Sequence, residues 1–144
     1  MISGPSAGFG RRFAALVYDV FLLTAVLMVI TFIPVIITDK PVLYETQGAW
    51  AYVYRGVLCA AIAGYYLLNW TRSGQTLGMR AWRLRAVTPQ GERLGWRAAA
   101  LRFAWGIIAW APAALGVLWL YFDDEHLALH DRLSRTRMVR LSRA

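Results

Sequence analysis

The chain has 144 residues, of which 58% are hydrophobic and 17% charged, and it carries a formal net charge of +8. Soluble domains average about half apolar and about a quarter charged, and here the apolar residues are gathered into three long runs. An ordinary soluble domain, a disordered chain and a disulfide scaffold (Cys59 is the one cysteine) are thereby excluded, and the pattern is that of a small polytopic all-α membrane protein.

The first run, Phe13 to Ile37, holds 25 residues and one charge, Asp19. It exceeds the about 7–15 residues of a signal peptide's apolar region, and no small-x-small pattern follows its exit at Thr38-Asp39-Lys40-Pro41. It is expected to stay as a transmembrane anchor. An acid inside such a helix costs about 2.5–3.5 kcal/mol on insertion scales and calls for a named partner. Arg12 lies seven residues earlier on nearly the same helix face, at an axial gap of about 10 Å. Arg12, Asp19 and Arg102 are therefore candidates for one charge cluster. Asp19 would serve there either as a protonatable or cation-binding carboxylate, or as a fixed ion pair docking the first helix onto the third segment.

The second run, Ala49 to Trp70, has 22 residues with one charge, Arg55. Gly56, Ala60 and Gly64 recur every four residues, a small-residue ridge that lets another helix approach closely. The partner is either another helix of the chain, the plainer expectation, or a second copy. Trp50, Tyr52, Tyr54 and Trp70 at the ends of the run, with Tyr44, Trp96, Trp119 and Tyr121 elsewhere, suit the headgroup level.

Residues 71–97 form a basic loop with six arginines. Within it Trp82 to Val87 alternates apolar and basic residues before the turn chemistry of Pro89-Gln90-Gly91, and Thr136 to Leu141 makes a second short strand candidate. Pairing of the two would form a small cytoplasmic strand pair. The third run, Ala98 to Phe122, again has 25 residues and one charge, Arg102, but Pro112 interrupts it between Gly106 and Gly116. It is either a kinked third span or a re-entrant hairpin. A full span would divide the flanking arginines and lysine 8 against 6 across the membrane, whereas a returning segment divides them 13 against 1. The positive-inside rule prefers the second and places the N-terminus in the cytoplasm.

The tail, residues 123–144, is basic overall but begins with Asp123-Asp124-Glu125-His126, and His130 follows one helical turn on. His126 and His130 with Asp123 could share a metal ion, but a solvated acidic face is the plainer reading. The basic surplus fits orientation and anionic lipid headgroups around the loop; without a groove-reading motif it does not indicate nucleic acid. No nucleotide-binding loop, nucleophile elbow or haem-attachment cysteine pair is present, so neither an enzyme nor a cofactor is expected.

Three segments read together: Phe9-Gly10-Arg11-Arg12 through Asp19, then Ser73-Gly74-Gln75-Thr76-Leu77-Gly78-Met79-Arg80, then Leu129-His130-Asp131-Arg132-Leu133. In order and spacing, over about residues 8–141 as one domain, they resemble the RDD family of small bacterial integral membrane proteins. The resemblance makes Arg12 the family arginine and Asp19 and Asp131 its two aspartates, which adds Asp131 to the candidate cluster of Arg12, Asp19 and Arg102, and it implies the inner membrane of a bacterial cell. The glycine-threonine pair common after the second aspartate is replaced here by Arg135-Thr136. What the resemblance implies is transport of unidentified ligands and, for some members, cation–proton exchange. So short a chain encloses a pathway only as a homo-oligomer, with the Gly56, Ala60 and Gly64 ridge as the contact. The alternative expectation is a non-enzymatic accessory or assembly factor that binds another membrane protein complex.

Overall fold

The computed structural model describes residues 5–38, 48–110, 118–123 and 127–142. Two helices dominate it: α1, Phe9–Thr38, of 30 residues, and α2, Ala49–Arg72, of 24. Each is long and apolar enough to cross a membrane. Polar side chains within them close their bonds locally, as an apolar surrounding demands: Thr24, Thr31 and Thr71 donate to the carbonyls of Val20, Leu27 and Leu67, four residues back. A hydrogen bond between the hydroxyls of Thr31 and Tyr54 at 2.5 Å ties the two helices together.

Gly74 turns the chain out of α2. Its φ of 72° lies in the left-handed region, and a Cβ there would stand 2.8 Å from the Ala86 carbonyl, so only glycine fits. A five-residue helix follows, α3, Leu77–Ala81, capped by the Thr76 hydroxyl, which accepts from Met79 N–H. Strand β1, Leu84–Val87, then leads through the turn at Gly91 to α4, Trp96–Trp110. The third apolar run thus becomes helical two residues earlier than its hydropathy predicts, and α4 carries it as far as Trp110. Pro112 and Gly116 lie outside the described residues.

Beyond a short 3-10 turn at Trp119–Tyr121, α5, Leu129–Leu133, packs back onto α4, and β2, Arg137–Arg140, runs antiparallel to β1 with Leu84 opposite Arg140 and Val87 opposite Arg137. The N-terminal stretch joins the other side of β2: Ala7 N–H donates to Met138, Arg140 N–H to Pro5, and Ser6 bridges Val139. The N-terminus, the central loop and the tail therefore meet in one small cap. Its core is Leu84, Ala86, Leu94 and Met138, continuous with Ala15, Trp70 and Met79 where the cap meets the helices.

Candidate functional site

Asp19 sits 2% exposed on α1, and three donors converge on it. The Tyr65 hydroxyl on α2 donates to Oδ1 at 2.6 Å, Gly78 N–H at 2.8 Å, and the Thr76 hydroxyl donates to Oδ2 at 2.5 Å. The contact depends on glycine at 78: a Cβ there would stand 2.2 Å from the Ala15 carbonyl and 2.9 Å from Asp19 Cγ. Thr76 thus caps α3 and binds the carboxylate at once, and Asp19 pins α3 and the end of α2 against α1. Asp19 thus stands apart from the expected cluster with Arg12 and Arg102. The seven-residue spacing put Arg12 and Asp19 on one helix face, but two of the three donors to Asp19 come from the loop motif Ser73-Gly74-Gln75-Thr76-Leu77-Gly78 and the third from α2.

Arg12 turns the other way, to Asp131. One guanidinium nitrogen donates to Asp131 Oδ2, and Nε donates to the Ala7 carbonyl at 2.7 Å. Arg102, midway along α4, donates to the other carboxylate oxygen and also to the Thr136 hydroxyl at 2.6 Å. Thr136 in turn meets Ser134 at 2.8 Å, and its amide donates to the Asp131 carbonyl. Both arginines and the aspartate are almost fully buried. A carboxylate bridging two guanidiniums offsets most of the cost of burying them, but the trio retains one positive charge. Arg102 also lies over the Trp70 indole at 5.3 Å, so Trp70, near the end of α2, is a buried cation–π partner.

His130 completes the cluster, with Nε2 3.4 Å from Asp131 Oδ1. Burial pushes the imidazole down to about 4, and the two nearby arginines act in the same direction against the attraction of Asp131. Burial alone would raise the Asp131 carboxyl, but Arg12 and Arg102 outweigh it and hold the group well below the usual carboxylate range. His130 is therefore neutral and Asp131 ionised at neutral pH.

The charge-cluster candidates thus divide. Arg12, Arg102 and Asp131 come together, Asp19 has its own set of donors, and all but Asp131 line a shared cavity of about 420 Å³ between α1, α2 and α4. Its remaining walls are apolar, among them Leu16, Ile62, Phe103 and Gly106. The metal reading has no support here: Asp123 pairs with Arg132 and accepts from Leu127 N–H, His130 faces Asp131, and His126 lies outside the described residues. Among the described residues no group of three metal-binding side chains occurs. Among the described residues none packs closely onto the Gly56, Ala60 and Gly64 ridge either. Gly56 and Ala60 are exposed, and a Cβ on either glycine would meet nothing within 4 Å.

The sequence reading left Thr76, Gly78 and Tyr65 without roles. The signal for the first two was present, since a threonine two residues before a glycine at the start of a short helix is cap chemistry that can also receive an anion. Tyr65 carried no such signal.

The two long apolar helices and the polar cap, built on two arginines and two aspartates, define a mostly helical membrane protein. The model of the RDD family matches residues 6–135, which span both aspartates and both arginines, and the chain belongs to that family. Searches of curated proteins and of solved structures find no match.

Proposed function

We infer that this protein is a non-enzymatic accessory factor of the membrane, one that binds and steadies another membrane protein rather than carrying ions. The observation behind this reading is that both aspartates are saturated by fixed donors. A proton- or cation-exchanging carboxylate must shed and regain partners in every cycle. Asp19 is held by three donors from α2, α3 and the turn before it, and Asp131 by two arginines. Opening either would dismantle the joint between cap and helices. The cavity also stays near the cap: its α1 residues are Arg12, Ala15, Leu16 and Asp19, the first third of a helix about 45 Å long.

The same reading sets the topology. With α5 packed back onto α4 and β2 joined to both β1 and the N-terminal stretch, the third apolar segment returns to the side it left, and the segments flanking the apolar runs carry 13 arginines on the cytoplasmic face of the inner membrane. Those arginines that stay exposed meet anionic headgroups or the partner, and the outward ridge of Gly56, Ala60 and Gly64 is available to a helix of another chain.

Reconstitution tests this. Protein in liposomes under a sodium or potassium gradient should leave the internal pH at the protein-free rate, and Asp19→Asn should change nothing. A cation-dependent pH change that Asp19→Asn abolishes would overturn the accessory reading in favour of an oligomeric exchanger.

A further inference from the structure

The cavity between α1, α2 and α4 is apolar along most of its wall, yet Arg12, Arg102 and His130 line one end of it, and each of these side chains has a buried atom that meets no hydrogen-bond partner: Arg12 Nη2, Arg102 Nε and His130 Nδ1. Buried polar atoms left unpaired are rare in folded proteins, and three on side chains around one cavity ask for a ligand. Their chemistry specifies it. The two guanidinium edges offer N–H donors and positive charge. His130 has Nε2 against the Asp131 carboxylate, so its proton sits there and Nδ1 offers a lone pair. Asp19 also lines the cavity, but both its oxygens are engaged by donors of α2, α3 and Thr76. What remains unsatisfied is an anion subsite with one acceptor beside it.

The position narrows the choice further. The polar end lies at the first turns of α1, beside the cap, which is where a membrane-spanning helix leaves the hydrocarbon for the headgroup level. From there Leu16, Ile62, Phe103 and Ile107 continue the wall along the helices, and Ile107 is 58% exposed, so the cavity is open rather than closed. Its volume falls within the about 300–1,000 Å³ typical of ligand sites.

We propose that this cavity binds one anionic phospholipid, with the phosphate at the guanidinium groups of Arg12 and Arg102, a headgroup hydroxyl beside His130, and an acyl chain along Leu16, Phe103 and Gly106. The site differs from the exposed arginines of the loop, which would attract any anionic surface. It also stands apart from the accessory reading, because a bound lipid is compatible with either outcome of the flux experiment.

The test fills the cavity without touching the ion cluster. A Cβ at Gly106 meets nothing within 4 Å, so Gly106→Phe places a ring in the space meant for the acyl chain, and Gly106→Leu is a smaller second variant. Delipidated full-length protein in a neutral detergent is titrated with phosphatidylglycerol, with phosphatidylcholine and with inorganic phosphate, and intact complexes are weighed by native mass spectrometry. The wild type should retain one phosphatidylglycerol at least tenfold more tightly than phosphatidylcholine. Both Gly106 variants should lose that retention while their melting temperatures match or exceed the wild type. Equal retention of the two lipids, or retention unchanged in both variants, overturns the proposal. So does inorganic phosphate competing as well as the diacyl lipid, which would make the site one for a soluble anion.

Discussion

Acid should loosen the cap through one residue, His130. An ordinary histidine titrates near 6.5, whereas burial and the neighbouring arginines hold His130 near 4 in the folded chain. Between those values the unfolded chain binds more protons than the folded one, so stability falls as pH falls from about 6.5 to about 4. At pH 5 the difference amounts to about 30-fold in the folded-to-unfolded ratio, or about 2 kcal/mol. Asp131 contributes nothing in that window, because its two arginines keep it ionised to much lower pH. The measurement is reversible unfolding in mixed micelles, by denaturing-detergent titration at pH 7.5, 6 and 5, on the wild type and on His130→Gln. The wild type should lose about 2 kcal/mol between the first and last conditions. The glutamine variant, uncharged throughout, should lose much less. Parallel pH profiles for the two proteins would refute the buried, neutral assignment of His130.

Two further substitutions probe the joints of the cap. Gly78→Ala places a methyl 2.2 Å from the Ala15 carbonyl, so α3 must move off α1 and surrender its amide bond to Asp19; overpacking and the lost charged hydrogen bond together should cost at least about 3 kcal/mol, read as a lower unfolding midpoint in the same assay. Arg135→Gly should act in the opposite direction. Arg135 is exposed and holds φ at 50°, a conformation that costs a non-glycine residue about 1 kcal/mol, so the glycine variant should unfold later by about that amount.

Arg135 also illustrates what the sequence made legible. Its place after the second aspartate, where the family resemblance leads one to expect glycine, singled out this turn before any geometry was known, and the backbone there does take the left-handed conformation that glycine would adopt without strain. The two long helices were equally plain, because about 20 apolar residues with a single charge have few other uses. Partnerships were harder to read. The family resemblance drew Arg12, Asp19, Arg102 and Asp131 into one candidate cluster, and the fold joins three of them across the 119 positions between Arg12 and Asp131, but no spacing showed that Asp19 has donors of its own. The small-residue ridge stayed open for a related reason. Gly56, Ala60 and Gly64 permit close packing but name no partner, and among the described residues α2 meets other parts of the chain through Tyr54, Tyr65, Tyr66 and Trp70.

The division of labour between the two aspartates explains why neither has a structural substitute nearby. Asp19 gathers neutral donors from three short stretches of chain, so it fixes where the central loop leaves α2 and returns to α1. Asp131 gathers two charges, from the start of α1 and the middle of α4, so it fixes where the tail closes over both helices. Replacing Asp19 removes an acceptor, whereas replacing Asp131 leaves two like charges facing each other in a buried site, the costlier fault by a wide margin. That asymmetry bears on the cavity as well. With Asp131 in place the two arginines have one carboxylate between them, each keeps a buried nitrogen without a hydrogen-bond partner, and both side chains line the space between the helices. A second anion entering there would complete the neutralisation that Asp131 begins, and the cap would then be held by the ligand as well as by the chain.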